Sequence, residues 1–196
     1  MKTGLYFGSF NPIHLGHLAI ASYMIEFTDI GQIWFVISPH NPLKQRVTLL
    51  ADYHRYELVE KAIIQEPDFQ VSDIEFKLPK PSFTIDTLTY LSEKYPSRKF
   101  TLIMGEDNLR TLPKWKNFNE LLDRYPIYVY PRDEEVQIPA SVAERLKEAS
   151  ITIVNAPRIE ISSSFIRQSI KQGRNMKHFL PKPAWEYIDQ MNFYRK

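Results

Sequence analysis

The chain has 196 residues, of which 43% are hydrophobic and 24% charged, a balance typical of a compact domain with an ordinary core. The formal net charge is only +2, which gives no support for a nucleic-acid binder, and no stretch approaches the roughly 20 apolar residues that cross a bilayer. The absence of cysteine excludes disulfides, thiolate metal sites and a cysteine nucleophile, and fits a reducing compartment. We expect a single cytoplasmic domain spanning residues 1–196.

Apolar runs alternate with amphipathic stretches along the chain. The runs predict strands, and the stretches between and after them predict helices. The predicted elements are, in order, strand 5–7, helix 15–27, strand 33–37, helix 52–65, strand 69–76, helix 84–95, strand 100–104, helix 106–124 with a break at Pro113, strand 127–130, helix 140–149, strand 151–154, helix 162–172 and helix 183–192.

This alternation predicts an α/β fold. We expect a Rossmann-like, doubly wound, mainly parallel sheet of about six strands, with helices on both faces and a C-terminal helical pair. Ligands of such sheets bind beyond the carboxyl ends of the strands, so the functional residues should lie in strand-to-helix loops.

The loop after the first predicted strand is a candidate phosphate site. It reads GSFNPIHLGH over residues 8–17 and ends at a predicted helix N-terminus, where free N–H groups and the helix dipole favour an anion. His14 and His17 share one face of the first helical turn, so both can donate N–H groups to phosphate oxygens. Gly8 allows the backbone to approach a ligand, and Gly16 allows close packing or approach on the helix.

Other interpretations of the two histidines are open at this point. Each can be a helix cap or a surface residue, and two histidines three residues apart can begin a metal site, although the sequence shows no third ligand of comparable clarity. The two common phosphate loops, GxxxxGK[ST] and GxGxxG, are absent from the sequence. Kinase-type and dinucleotide-dehydrogenase functions therefore lose their main support.

These ten residues resemble the (G)xFxPxHxGH signature of the HxGH nucleotidyltransferase superfamily, which transfers a nucleotidyl group from a nucleoside triphosphate to a phosphate or similar acceptor. Asn11 stands where many relatives carry Asp. The resemblance implies that His14 and His17 are catalytic and face the α-phosphate of ATP. The further ATP-binding residues that it implies in this loop are Gly8, Ser9, Phe10 and Gly16.

The loop after the last predicted strand is a second candidate phosphate site. It reads ISSSFIR over residues 161–167 and opens a helix that Ser162 or Ser163 can cap, with Arg167 one turn further on. Such a serine cluster can also be a cap alone. The segment resembles the second signature of the superfamily, ISSTxIR, which holds the β and γ phosphates of ATP in relatives. The resemblance implies ATP binding by Ser162, Ser163, Ser164, Phe165 and Arg167, and a catalytic role for Arg167.

The resemblance to the superfamily alone does not identify the acceptor substrate, and the middle of the chain reduces the number of candidates. PSFTIDTL at 81–88 resembles the SYTIDTL segment of bacterial nicotinate-nucleotide adenylyltransferases, and GEDNLRTLPKWKNFNELL at 105–122 resembles their GxDxxxxLxxWxxxxxL segment. YPR at 130–132 and the C-terminal PAWEYIDQMNFY fit the same family. The resemblance extends over nearly the whole chain.

This narrower resemblance implies a set of residues that bind the nicotinate nucleotide. Trp115 can stack on the pyridine ring, although it can equally lie in the core, and Asp107 can accept from ribose hydroxyls or cap a helix. At a helix start, backbone N–H and hydroxyl groups are available to the carboxylate of the substrate. The implied substrate-binding residues are Lys44, Thr84, Ile85, Asp107, Trp115 and Arg132.

The loop SPHNPLK at 38–44 departs from the family pattern, PPHK. Leu43 occupies the position where relatives often have His, which leaves the role of His40 open. Lys44 keeps a cation for a phosphate, or is a solvated loop lysine.

The implied reaction is direct adenylyl transfer from ATP to nicotinate mononucleotide, giving deamido-NAD and pyrophosphate in NAD biosynthesis. We expect no protein metal ligands, because Mg²⁺ would be carried by the phosphates of ATP. The expected partners are these small molecules, with neither nucleic acid nor membrane, and a homo-oligomer is compatible with the sequence. The alternatives are a related adenylyltransferase that uses nicotinamide mononucleotide or phosphopantetheine, and a nucleotide sensor without chemistry.

Overall fold

Parallel strands form the centre of the molecule. The computed structural model describes residues 1–39, 49–132, 143 and 151–195. In these residues six strands form one sheet in the order β3-β2-β1-β4-β5-β6, and every neighbouring pair is parallel. The strands are β1 Lys2–Gly8, β2 Gln32–Ile37, β3 Phe69–Ser72, β4 Lys99–Gly105, β5 Ile127–Tyr130 and β6 Ile151–Ile153.

Helices connect the strands and close the chain. The described residues contain α1 Leu15–Phe27, α2 Asp52–Ala62, α3 Ile74–Lys77, α4 Thr84–Lys94, α5 Phe118–Arg124, α6 Ser163–Lys171 and α7 Lys182–Gln190. Short 3₁₀ turns lie at Glu106–Asn108, Leu112–Lys114 and Lys177–Phe179. In the part of the chain that the structure describes, no helix has the length and apolar character that spanning a bilayer requires.

Both faces of the sheet are apolar, as buried parallel strands require. Successive residues alternate between two cores: Leu5 and Leu102 belong to one, and Tyr6 and Ile103 belong to the other. The core around Tyr6 includes residues of α1, α2, α6 and α7, and the core around Leu5 includes residues of α4 and α5. The predicted Rossmann-like, doubly wound fold with its C-terminal helical pair is confirmed.

The strand order places the functional loops. The chain adds β2 and β3 on one side of β1 and β4 to β6 on the other, so the order reverses between β1 and β4. Ligands of open α/β sheets bind in the crevice outside the carboxyl ends of the strands at such a reversal. The loops that follow β1 and β4 border this crevice.

Two predicted elements differ from the structure. The strand predicted at 69–76 ends at Ser72, and α3 follows it, because the turn buries Ile74 in the core and brings Glu75 to Thr87 Oγ1, which donates to Glu75 Oε1 at 2.9 Å. The helix predicted at 106–124 is reduced to two 3₁₀ turns and α5, which begins only after Asn117 in a left-handed conformation with φ of 49°. The helix predicted at 140–149 lies, except for residue 143, outside the described residues.

A buried arginine on α2 joins the loops at the carboxyl edge of the sheet. The Arg55 side chain has no exposed surface, and all of its nitrogens donate. Nη1 donates to Ser9 O and Ser38 O, each at 2.8 Å, which links the loops after β1 and β2. The remaining bonds go to Leu50 O at 3.1 Å, Pro39 O at 3.2 Å and the Asp52 carboxylate. Because these carbonyls face a buried region, they receive their hydrogen bonds from the guanidinium and not from solvent.

We expect Arg55→Met to lower the free energy of unfolding by about 3 kcal/mol or more, because it leaves several buried carbonyls without this donor while it keeps the apolar stem. Urea denaturation of the wild type and the variant measures the loss. Arg124→Met is the matched control, since Arg124 is partly exposed and its Nη1 bonds Glu120 on the surface of α5. Similar small losses in both variants would show that Arg55 does not hold the loops together.

Candidate active site

The loop after β1 folds around an aromatic side chain. Phe10 has a left-handed backbone, with φ of 43°, and its ring is buried. The ring makes edge contacts with Tyr6, His17 and Phe35, with centroids 5.1 to 5.7 Å apart. A Cβ on Gly8 would lie 2.9 Å from the Phe10 ring, so glycine is required there. The Phe10 side chain therefore supports the loop from within the core. Only the Phe10 backbone is available for the predicted contact with ATP.

The two histidines stack at the start of α1. Their ring centroids are 3.7 Å apart, with 29° between the planes. The backbone N–H of His14 donates to His17 Nδ1 at 3.2 Å, so a neutral His17 carries its proton on Nε2. A Cβ on Gly16 would lie 3.0 Å from His14 Nδ1 and 3.1 Å from Ile159, so the glycine makes room for the His14 ring. Gly16 thus supports the site by packing.

Both histidines are uncharged in the free protein at neutral pH. Burial, followed by the nearby positive charge of Arg132, lowers the pKa of His14 to about 3. Burial, together with His14 and Arg132, also holds the pKa of His17 well below its usual value. The two neutral rings can therefore donate hydrogen bonds to an anion, and no imidazolium charge has to be buried.

The start of α6 contacts the first loop directly. Ser163 Oγ donates to Pro12 O at 2.9 Å, and Arg167 Nη1 donates to Asn11 O at 2.7 Å. Arg167 Nη2 also donates to Ser164 Oγ at 3.2 Å. The two segments that resembled phosphate-binding signatures are thus neighbours in space, although more than 140 residues separate them.

Ser162 caps α6, since its Oγ accepts from the backbone N–H of Phe165 at 3.2 Å. The exposed Phe165 ring contacts Phe179 at a centroid distance of 5.6 Å. Both the cap interpretation and the ligand interpretation of this segment are compatible with the structure, because a capped helix start still presents N–H groups and the hydroxyl of Ser164.

Tyrosine hydroxyls and charged side chains form the wall of the crevice that faces the histidines. Tyr6 OH donates to Tyr130 OH at 3.0 Å, and Arg132 Nη2 donates to the same oxygen at 3.0 Å. Arg132 Nε lies 3.7 Å from Asp107 Oδ1. This wall and the histidines surround one cleft, which is lined by Tyr6, His14, Gly16, His17, Ile20, Tyr130, Pro131, Arg132, Ile159 and Ile161.

The two middle segments meet at the start of α4. Lys116 Nζ bonds Asp86 at 2.7 Å and lies 5.0 Å from the centre of the Phe83 ring, which holds the loop after Trp115 against the first turn of the helix. Thr84 is half-buried at the helix start, whereas the Ile85 side chain lies in the core. Of Ile85, only the backbone is available to a ligand.

Trp115 is half-buried and packs against the same core, and the rest of its side chain is exposed. The other predicted residue of the acceptor site, Lys44, lies outside the described residues, as do His40 and Leu43.

Several residues that organise the site are missing from the sequence prediction. Arg55 had a detectable signal, because it precedes Leu58 and Val59 by three and four residues and so shares their apolar helix face. Tyr194 bonds the side chain of Asn11, and Tyr130 joins Tyr6 to Arg132. These contacts join distant parts of the chain and have no local pattern.

Comparisons with known proteins identify the family of the chain. The sequence model of the cytidylyltransferase-like family matches residues 5–169. The chain is 54% identical over 196 residues to a protein of Flavobacterium johnsoniae named as a probable nicotinate-nucleotide adenylyltransferase, covering 100% of both chains. It is 41% identical over 193 residues to a protein of the same name from Bacteroides fragilis, covering 96% of this chain and 92% of the relative.

Solved structures give the same fold. The nicotinic acid mononucleotide adenylyltransferase of Plasmodium falciparum, complexed with NaAD, superimposes with a TM-score of 0.79 at 21% identity, covering 99% of this chain and 97% of that one. A second structure of that protein, complexed with APC, has a TM-score of 0.78 at 20% identity and covers 99% and 97% of the two chains.

The lowered pKa of His14 predicts a specific loss of stability in acid. The folded-state pKa of about 3 lies below the ordinary value of 6.5, so stability is complete above pH 6.5 and falls as the pH drops towards 3. Between pH 7.5 and 5.5 we expect the wild type to lose about 1 kcal/mol more unfolding free energy than His14→Gln, as measured by urea denaturation. Equal losses in both proteins would contradict a buried neutral His14.

Proposed function

We propose that this chain, which belongs to the nicotinate-nucleotide adenylyltransferase family, transfers the adenylyl group of ATP to nicotinate mononucleotide. The products are deamido-NAD and pyrophosphate, which places the reaction in NAD biosynthesis. The observation that carries the proposal is the contact of the α6 start with the loop after β1, through Ser163 and Arg167. This contact places the two candidate phosphate segments side by side, so that one triphosphate could reach both.

The reaction needs one displacement at phosphorus. A phosphate oxygen of nicotinate mononucleotide attacks the α-phosphorus of ATP, the new P–O bond forms, and the bond to the oxygen that bridges the α and β phosphates breaks. Pyrophosphate leaves with that oxygen and its electron pair, so no covalent intermediate with the enzyme is required. Catalysis then depends on holding the reactants in line and on stabilising the charge on the α-phosphate oxygens.

We assign the stabilisation of the α-phosphate to His14 and His17. Neutral imidazoles at a helix N-terminus donate N–H groups to oxygens whose charge grows in the transition state. For His17 the donor is Nε2–H, because Nδ1 accepts from the backbone of His14. The edge contact of Phe10 with His17 and the close fit of Gly16 against His14 hold the two rings in place before substrate arrives.

We assign the departing pyrophosphate to the start of α6. The free N–H groups of the first turn, the Ser164 hydroxyl and the Arg167 guanidinium together offer several donors and one full positive charge. Arg167 uses one N–H on Asn11 O and one on Ser164 Oγ, and a guanidinium has five N–H donors, so it can bind an anion while it remains anchored.

We assign the nicotinate nucleotide to the side of the crevice that α4 and the loop after β4 form. The Thr84 hydroxyl and the N–H groups of the first α4 turn suit the carboxylate, and Trp115 provides an aromatic surface for the pyridine ring. Asp107 can accept from ribose hydroxyls, and its neighbour Arg132 supplies a cation next to both reactants.

The metal belongs to the substrate in this proposal. The described residues contain no group of three or more His, Asp or Glu side chains that could hold a metal ion. Mg²⁺ keeps most of its waters and leans on substrate phosphates, so MgATP fits this donor set. When bound, the ion neutralises part of the triphosphate charge. We also propose that residues 1–196 act as one domain in the cytoplasm, which the cysteine-free composition fits.

Pyrophosphate release with MgATP tests the acceptor. We offer nicotinate mononucleotide, nicotinamide mononucleotide and phosphopantetheine in parallel, and expect kcat/KM to be ~10²-fold higher for nicotinate mononucleotide. The amide of nicotinamide replaces one acceptor oxygen of the carboxylate with an NH₂ group, which leaves a donor of the site unpaired. Preference for another acceptor would overturn this assignment. ATP binding without pyrophosphate release for any acceptor would favour a nucleotide sensor.

The matched control for this assay is a pair of histidine variants. His17→Ala should lower kcat by at least ~10²-fold, the effect of losing one preorganised donor. His178→Ala removes an exposed histidine from the 3₁₀ turn Lys177–Phe179. His178 does not line the cleft, so this variant should leave turnover unchanged. Near-normal turnover of His17→Ala would overturn the assignment of His17.

A further inference from the structure

The last residues of the chain form a hook over the active-site loops. We define the C-terminal hook as residues 191–195, which follow the end of α7 at Gln190. Asn192 and Tyr194 both have left-handed backbones, with φ of 54° and 63°. A tyrosine rarely adopts this conformation, so its surroundings must hold it there.

The hook delivers one hydroxyl to the loop after β1. Tyr194 OH donates to Asn11 Oδ1 at 2.8 Å. Burial raises the pKa of Tyr194 far above its usual value, while the charges of Arg167 and Arg55 act in the opposite direction. The hydroxyl is therefore a neutral donor that lies close to Arg55 and Arg167.

Asn11 is the point where the functional loops converge. Its side chain is buried, and Oδ1 also accepts from the backbone N–H of Leu50 at 3.3 Å. Its backbone carbonyl accepts from Arg167 Nη1 at 2.7 Å. A shift of Asn11 would therefore move the acceptor that anchors the Arg167 guanidinium.

The hook is fixed on the helix that carries Arg55. The Phe193 ring makes edge contacts with His54 and Tyr187, with centroids 4.6 and 5.6 Å apart, and Phe193 N donates to Ile188 O at 3.1 Å. Tyr187 OH in turn donates to Glu57 at 2.7 Å. The position of Tyr194 is thus set by α2 and α7, and these contacts do not depend on a ligand.

We propose that Tyr194 is a positioning residue for the triphosphate site. Its hydroxyl fixes the Asn11 side chain, and the Asn11 backbone carbonyl fixes Arg167, so the C-terminal hook completes the part of the site that receives the β and γ phosphates. This role rests on the proposed function, because Arg167 contacts the triphosphate only if the chain uses ATP as described above.

The test compares two tyrosine hydroxyls on the C-terminal segment. Tyr194→Phe removes the bond to Asn11. Tyr187→Phe removes the hydroxyl bonds to Glu57 and His54 on α2 but keeps the ring that packs on Phe193, and it does not touch the loop after β1. For Tyr194→Phe we expect the KM for MgATP to rise ~10-fold, the scale of one lost hydrogen bond in a charged site, with the KM for nicotinate mononucleotide within about twofold of wild type. Tyr187→Phe should lower the melting temperature and leave both KM values unchanged.

Three results would overturn the role of Tyr194: an unchanged KM for MgATP, an equal rise in the KM for both substrates, or the same kinetic change in Tyr187→Phe. Calorimetric titration with MgATP alone keeps this test independent of the acceptor. If the wild type binds MgATP but does not adenylylate nicotinate mononucleotide, the proposed function fails. If wild type and Tyr194→Phe bind MgATP equally well, the positioning role fails.

Discussion

The site depends on one buried guanidinium. Parallel strands end in loops that cannot pair with one another as hairpins do, so their carbonyls need donors from elsewhere. Arg55 supplies those donors to the loops after β1 and β2 and to the segment before α2. Because a guanidinium is planar and always charged, it fixes the relative positions of these segments as a lysine could not. The histidines follow the loop that this residue holds, and the hook and the start of α6 both contact that loop.

Charged and neutral side chains occupy different parts of the site. Full positive charge lies on the arginines at its margins, Arg132 beside the cleft and Arg167 at the start of α6, whereas the two histidines at the centre are kept neutral by burial. In the proposed reaction the central groups would donate to the α-phosphate at little cost in desolvation, and Arg167 would stabilise the charge of the departing pyrophosphate. The same burial that lowers the histidine pKa values also fixes the rings, so positioning and electrostatics share one cause.

Local sequence patterns predicted much of the fold. They failed where contacts between residues distant in the sequence determine the local structure. The helix predicted at 15–27 is α1, and the short apolar runs of β1, β2, β4 and β5 form the buried strands that they predict. At 69–76 a short apolar run fits a strand or a turn of helix, and the bond from Thr87 to Glu75, twelve residues away, favours the turn. The two candidate phosphate loops were identified from their motifs, and the structure places them in contact. Arg55 and Tyr194 bond backbone carbonyls and an amide that no spacing rule connects to them.

The central claim is that the loop after β1 and the start of α6 form one triphosphate site. A crystal structure with a non-hydrolysable ATP analogue and Mg²⁺ tests it most directly. The account predicts the α-phosphate within hydrogen-bond distance of His17 Nε2, and the β and γ phosphates at the first turn of α6 with Arg167 still bonded to Asn11 O. A triphosphate that contacts only one of these two segments, or that lies away from the histidines, would contradict it.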